Sequence, residues 1–275
     1  MDKQVALITG CSSGIGRALA QAFRQQGFRV VATARRAADV AALRKDGWEA
    51  LALDVTRPES IEAAMAQISQ DCGRIDVLVN NAGYGQFGAL LDLAPEDLRR
   101  QFETNVFAPL ALVRAALPCL RAAKAARIVN IGSVSGILTT PFAGAYCASK
   151  AALHALSDAL RMELAPFGIH VVTVQPGAIA SRMGENGAAQ VVLPPDSLYQ
   201  KIAAEVHARA VLSQQGASPA DEFARQLVAA VMKPRPARVL RLGSNSYRLP
   251  FLRRVLPLAL IDRIMAKRFG LIHLP

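Results

Sequence analysis

Ser133, Tyr146 and Lys150 are the residues of this chain whose types and spacing could move a proton. Tyr146 and Lys150 stand four apart, so in a helix starting near Ala145 their side chains leave one face, a turn from each other. A phenol titrates near 10 in water, and an ammonium held beside it favours the phenolate and brings that value down. Such a tyrosine could give or take a proton at neutral pH. Ser133, at the end of an apolar run over 128–131, could hydrogen-bond the oxygen whose charge changes. The same residues also fit a tyrosine that caps a core, a solvated lysine and a serine that ends a strand. The surrounding chain has to decide.

The elements that would position these groups begin at the N-terminus. Residues 5–9 form a short apolar run of the kind buried in a parallel sheet, followed by a turn with Gly10, Ser12, Ser13, Gly14, Ile15 and Gly16, and then by a helical stretch over 17–26. Glycines at a strand-to-helix turn let the backbone approach a pyrophosphate, which the free N–H groups and dipole of the helix N-terminus attract. The spacing is Gly-x-x-x-Gly-x-Gly rather than Gly-x-Gly-x-x-Gly. A tight connection is the alternative reading.

Residues 28–34 read as a second strand, ending in Arg35-Arg36 with no acidic residue before Asp39. In dinucleotide folds an acid at this place suits a free ribose 2′-hydroxyl, and an arginine accommodates a 2′-phosphate. Arg35 therefore points to NADP(H), and Arg36 reads as solvated. Residues 50–53 make a third strand running into Asp54-Val55, and 75–79 a fourth running into Asn80, Asn81, Ala82 and Gly83. Small residues and an amide at a strand's carboxyl end suit a crevice for a flat ring, although Asn and Gly are also common turn formers.

Residues 95–121 carry a long apolar periodicity interrupted by Asn105, which is unfavourable inside a helix and calls for a local distortion, for instance around a bound water. A fifth strand over 128–132 delivers Ser133, a helix over 146–164 carries Tyr146 and Lys150, and a sixth strand over 170–174 ends at Gln175-Pro176-Gly177. Strands and helices alternate six times, which predicts a Rossmann-like α/β fold, a doubly wound parallel sheet with helices on both faces. A further strand over 238–242 makes it seven-stranded. Every candidate residue falls at a strand's carboxyl end or on the following helix, where such sheets bind ligands.

Composition agrees with this architecture. A chain of 275 residues with 52% apolar and 19% charged residues suits one α/β domain with a large core. Cys11, Cys72, Cys119 and Cys147 form no metal-ligand pattern and read as reduced thiols of a cytoplasmic protein; no metal is expected. No secretory signal and no membrane-spanning run is expected either. The net charge of +11 is not spread over the body: from Lys233 onward there are ten Lys or Arg and one Asp. That distribution argues against nucleic acid as a partner, since a basic face would be wanted on the folded body.

Taken together, Thr9-Gly10-x-x-x-Gly14-Ile15-Gly16, Asp54, Asn80-Asn81-Ala82-Gly83, Asn105, Ser133, Tyr146-x-x-x-Lys150 and Pro176-Gly177 resemble the short-chain dehydrogenase/reductase superfamily over about residues 3–185. The resemblance implies a nicotinamide cofactor and a catalytic tetrad of Asn105, Ser133, Tyr146 and Lys150. In it Tyr146 is the general acid or base, and Lys150 lowers its pKa and holds the nicotinamide ribose. Ser133 orients the carbonyl, and Asn105 positions a water. It also implies that Asp54 and Val55 contact adenine and that Ile179 and Ser181 meet the carboxamide; the family more often has Thr where this chain has Ser181. The strand end at Arg35, the run Asn-Asn-Ala-Gly-Tyr-Gly and the basic tail resemble the branch with retinal, 17β-hydroxysteroid and acyl-dihydroxyacetone-phosphate reductases. The expected activity is hydride transfer between NADP(H) and a hydrophobic ketone, aldehyde or secondary alcohol. A non-catalytic NADP(H)-binding or lipid-surface-binding protein on the same fold is the alternative, and a homo-oligomer is expected.

Past Ser181 the chain is expected to choose the substrate. Residues 185–218, with an amphipathic piece over 198–212, read as a lid over the nicotinamide. Ser218-Pro219 reads as a cap and first residue of another helix. Residues 244–275 read as a basic extension of two short amphipathic helices split by Pro257 and stopped by Gly270. Their apolar and cationic faces suit a membrane interface, a greasy pocket or a subunit contact.

Overall fold

Short runs of apolar and β-branched residues, buried along their length, build the centre of this protein. A computed structural model describes residues 3–181, 187, 189, 191 and 193–275. The strands are β1 (Val5–Ile8), β2 (Arg29–Ala34), β3 (Glu49–Ala52), β4 (Val77–Asn80), β5 (Arg127–Ile131), β6 (His170–Pro176) and β7 (Val239–Leu242). All pair in parallel, in the order β3-β2-β1-β4-β5-β6-β7. Every residue of β1, β4 and β5 is buried, because helices cover both faces. The strands start and stop within two residues of the expected places, the ordinary scatter of terminal hydrogen bonds.

On one face, α1 (Gly14–Gln25), α2 (Ala37–Lys45) and α8 (Ala220–Val231) bury Leu19, Phe23, Leu43, Phe223 and Leu227. On the other, α3 (Pro58–Cys72) and α5 (Ala108–Arg121) bury Ile61, Ile68, Leu112 and Leu120, joined by Leu164 at the end of α6 (Gly144–Leu164). Strand order reverses between β1 and β4, so the loops leaving their carboxyl ends diverge and open a crevice.

The apolar stretch over 95–121 is not one helix. It divides into α4 (Pro95–Phe102) and α5, joined by a π-helical turn at Glu103–Phe107 that contains Asn105. Sequence supplies a reason: residue 109 is proline, so the carbonyl of Asn105 has no N–H four residues on to complete an α-helical bond. π-Turns inside helices are often found at functional sites.

Beyond β6 come α7 (Ala203–Val211) and α8, and beyond β7 come α9 (Arg248–Val255) and α10 (Leu258–Arg268), separated by Pro257 as expected. Of the expected lid, residues 185, 186, 188, 190 and 192 lie outside the described residues. A third apolar cluster forms over the carboxyl ends of the strands, where Phe87, Phe142 and Cys147 meet Ile202, Val206 and Phe269. One expectation fails: Ser218 does not cap α8, whose first turn has no side-chain cap. Its hydroxyl instead accepts from the Ser244 N–H at 3.0 Å and pairs with the Ser244 hydroxyl, tying the start of α8 to the loop after β7.

Candidate active site

The turn between β1 and α1 is shaped by contacts that tolerate only glycine. Gly10 and Gly14 have φ of +72° and +57°, a region side chains rarely enter. A Cβ on Gly16 would fall 2.2 Å from the Gly10 carbonyl oxygen, so α1 can press against the turn only without one. Ser13, which precedes α1, makes no side-chain cap bond, and there is no acid in the first turn. The N–H groups at this helix end are left facing the crevice without a competing anion, which fits a pyrophosphate.

A lacing of hydrogen bonds fixes this turn to the loop after β4. Thr9 Oγ1 accepts from the N–H groups of Asn81 and Ala82, both at 2.9 Å, and Asn81 Nδ2 donates to the Thr9 carbonyl at 2.8 Å. Thr9 was legible as a matching motif residue, but sequence did not show that it carries this joint. At the end of β2, Arg35 is exposed and makes no ion pair among the described residues. Arg36 is solvated as expected, and from the surface it holds Asp39 with two bonds of 2.8 Å. Asp54 keeps one carboxylate oxygen, Oδ1, on the N–H and hydroxyl of Thr56, with Val55 partly exposed beside it. These residues fit a dinucleotide whose adenosine half lies across the ends of β2 and β3.

The other half of the crevice holds the remaining candidates. Gly83 sits against the tetrad: a Cβ there would stand 3.0 Å from Asn105 Oδ1 and 3.7 Å from Lys150 Nζ. The Asn105 amide is fully engaged, accepting from the Tyr84 N–H at 3.2 Å and donating to the Tyr84 carbonyl and to Ser149 Oγ. Its main-chain carbonyl, which Pro109 leaves without an α-helical donor, is a group that fits the expected water. Pro176 and Gly177 end β6; Ile179 is buried and Ser181 lies against Gly14, whose Cβ would meet that of Ser181 at 3.3 Å.

Tyr146 is 8% exposed, with Phe87 at 5.9 Å between ring centroids. Burial pushes its phenol up, and the Ser133 hydroxyl pulls it part of the way back. The expected lowering by Lys150 is not found in this arrangement, since Lys150 Nζ lies 5.9 Å from the tyrosine ring and donates to the Ile131 carbonyl at 2.8 Å. Burial lowers the Lys150 ammonium to about 8. A lysine so placed holds its proton loosely near neutral pH.

Two groups aim the helix that carries Tyr146. Asn80 and Asn130 face each other across β4 and β5; Asn80 Nδ2 donates to Asn130 Oδ1 at 2.8 Å, Asn130 Nδ2 to Ser157 Oγ at 2.8 Å, and Ser157 Oγ to the Leu153 carbonyl. At the other end, Phe142 holds φ at +60°, a strained value for an aromatic residue. The rings of Tyr199 and Phe269, at 5.5 and 6.4 Å, hold it in place.

Sequence reasoning passed over two residues. His154, one turn beyond Lys150, accepts the Ser133 N–H at Nε2, and its place at i+4 was a readable signal. Arg209 is 6% exposed on α7, at i+3 from the buried Val206. A separate cleft of about 520 Å³, lined by Arg161, His170 and Arg238, opens at the amino ends of β6 and β7, away from all of these groups.

Comparison with known proteins agrees with the geometry. The family model described as short chain dehydrogenase matches residues 4–191. A short-chain dehydrogenase of Penicillium ochrochloron is 38% identical over 98% of this chain and 100% of its own length. A 3-ketodihydrosphingosine reductase of Bacteroides thetaiotaomicron is 40% identical over 68% of each chain. The crystal structure of a short-chain dehydrogenase from Streptomyces avermitilis superposes with a TM-score of 0.78 at 35% identity, covering 97% of this chain and 95% of its own. The chain belongs to the short-chain dehydrogenase/reductase superfamily, a family of nicotinamide-dependent oxidoreductases.

Proposed function

We propose that this protein is an NADP(H)-dependent carbonyl reductase acting on hydrophobic ketones or aldehydes, or on the matching secondary alcohols in reverse. The observation that carries the reading is the meeting of Tyr146, Ser133 and Lys150 at the mouth of an apolar cluster, beside a glycine turn suited to a pyrophosphate. Bound nicotinamide supplies the hydride for reduction or takes it in oxidation.

Ser133 Oγ donates to the carbonyl oxygen and aligns it, and Tyr146 Oη gives that oxygen its proton as negative charge develops there. Lys150 favours the tyrosinate that results, leaving the Ile131 carbonyl for the cofactor ribose. The Asn105 carbonyl holds the water that returns a proton through Lys150. Gly10, Ser12, Ser13, Gly14 and Ile15 cradle the pyrophosphate, and Asp54 and Val55 hold adenine. Asn81, Ala82, Gly83, Pro176, Gly177, Ile179 and Ser181 line the nicotinamide end. Arg35, exposed and unpaired among the described residues, takes the 2′-phosphate, which ranks NADPH above NADH and makes reduction the cellular direction. A lipophilic substrate is supported by the apolar cluster and by the 3-ketodihydrosphingosine reductase among the relatives.

No helix among the described residues is long and apolar enough to cross a membrane. The reading extends to peripheral contact with an anionic membrane through α9 and α10, in which exposed Phe251, Val255, Leu258 and Ile264 interleave with Arg253, Arg254 and Arg263. The deciding experiment follows NADPH consumption by the purified protein over a panel of lipophilic ketones and aldehydes. Tyr146→Phe should keep NADPH affinity and lose roughly a hundredfold or more of turnover. Unchanged turnover in that variant, or no carbonyl that consumes NADPH, would overturn the proposal.

A further inference from the structure

Arg209 is a buried cation with no carboxylate partner among the described residues. It lies on the face of α7 that carries Val206 and Ala210, within the apolar cluster that includes Phe87, Phe142 and Cys147. Its Nε donates to Thr140 Oγ1 at 2.8 Å, and its guanidinium carbon stands 5.3 Å from the centre of the Phe87 ring. Among the described residues no carboxylate lies within ion-pair distance, and Nη1 and Nη2 meet no acceptor. A guanidinium presents five N–H donors in a planar fork, and only one is used here. Burial lowers its pKa, Cys147 and Tyr146 bring it part of the way back and Arg268 lowers it again, while the two Nη atoms are not among the sealed atoms left without a partner and so remain open to a ligand or solvent. A residue selected only to fill this space would be Leu or Met.

Position gives the free fork a meaning. Phe87 has Arg209 near one side of its ring and Tyr146 at 5.9 Å on another, so the guanidinium stands one aromatic ring from the phenol. We propose that Arg209 binds a carboxylate borne by the substrate, which is therefore an apolar oxo-acid with its carbonyl at Tyr146 and its chain along Phe87. This rests on the carbonyl-reductase reading of the Tyr146 site and specifies its substrate. The reaction balances without touching the acid group: hydride goes from NADPH to the carbonyl carbon, the Tyr146 proton goes to the oxygen, and a hydroxy-acid and NADP⁺ leave. Arginine and carboxylate match in a bidentate, charge-assisted pair.

The test compares dodecanoate, methyl dodecanoate and monododecyl phosphate by calorimetry on the full chain with NADP⁺ bound. Dodecanoate should bind about tenfold to a hundredfold tighter than its ester, the range of one charge-assisted pair. Arg209→Met should erase that preference while leaving ester affinity in place, and Arg209→Lys should keep part of it. A contact that merely pins α7 would weaken acid and ester alike, which would overturn the proposal, as would tighter binding of the phosphate. The wild-type comparison needs no variant and stands even if Arg209→Met fails to fold. Turnover of 5-oxododecanoate, whose carbonyl and carboxylate are spaced to reach Tyr146 and Arg209 together, against its methyl ester separates the two readings. An ester reduced as well as the acid removes the carboxylate site and leaves the reductase. Arg209-dependent binding of dodecanoate with no NADPH consumed removes the reductase and leaves the site.

Discussion

The main-chain N–H of Ser133 points at Nε2 of His154, 3.4 Å away, which makes that nitrogen an acceptor and places the ring proton on Nδ1. The ring fits because Gly132 and Gly136 leave room: a Cβ on Gly132 would sit 2.3 Å from Nε2. Burial, and then the charge of Lys150, push the His154 pKa down to about 4, so the ring stays neutral where the enzyme works.

Removing the acceptor should therefore misplace Ser133. His154→Leu is expected to lower kcat about tenfold, with NADPH affinity kept, because an unpaired buried N–H is worth about 1–3 kcal/mol. His154→Gln, whose Oε1 can accept the same N–H, should recover most of the loss. Equal kcat in the two variants would remove His154 as the group that positions Ser133. The histidine also titrates with folding. Its folded pKa lies below the unfolded value of about 6.5, so the unfolded chain binds the extra proton; stability is intact above about 6.5 and falls as pH drops toward 4, by about 3 kcal/mol in all. Urea unfolding across that window should show a shallower slope for His154→Leu.

Lys150 carries a cost in stability, which its proposed role in proton transfer explains. Its folded pKa of about 8 lies below the unfolded value near 10.5, so the native state is penalised at pH 7 and gains stability as pH rises from 8 to 10.5. Lys150→Met should stabilise the protein at pH 7 by about 1–2 kcal/mol after allowance for the orphaned Ile131 carbonyl, while turnover drops at least a hundredfold. The gain should shrink above pH 8. Calorimetric Tm values at pH 7 and pH 10 check this, and a variant less stable at both would refute it.

Cofactor choice should turn on Arg35 and not on its neighbour. Arg35→Ser is expected to raise KM for NADPH about tenfold or more while leaving NADH unaffected, since only the 2′-phosphate contact is lost. Arg36→Ala, which removes the two bonds to Asp39, should change neither. Equal effects of Arg35→Ser on the two cofactors would show that the arginine reads something other than the phosphate.

The C-terminal helices should divide into two roles. Phe269 is 4% exposed against Phe142, and Phe269→Ala should cost about 3–5 kcal/mol and lower turnover by releasing the strained backbone ahead of Tyr146. Phe251 is 62% exposed, and Phe251→Ser should leave stability and turnover unchanged but weaken flotation with anionic vesicles. Wild-type protein that fails to float would end the membrane half of this division.

The sheet was largely legible because its central strands β1, β4 and β5 are short apolar runs buried throughout, and such runs need no partner to be recognised. Asn105 was legible as an interruption, and Pro109 four residues on explains why the interruption is a π-turn. Ser218 misled because a serine before proline fits a helix cap, whereas its partner, Ser244, lies 26 residues away. Long-range pairs of this kind leave no periodic trace. Arg209 was hidden for a related reason: one basic residue on an amphipathic helix reads as part of the solvated face until tertiary packing buries it.

The buried amide ladder from Asn80 through Asn130 to Ser157 works as an index mark. Apolar side chains would fill the same space in several rotations of α6, each nearly as comfortable as the next, but donors and acceptors in a fixed sequence close at only one. A slip of one residue between β4 and β5 would leave two polar groups, Asn80 Nδ2 and Asn130 Oδ1, without these partners in the dry interior. The azimuth of Tyr146 is thus encoded more than 10 Å along the helix from the phenol itself, about seven residues at 1.5 Å each from Leu153, in residues that never meet a substrate.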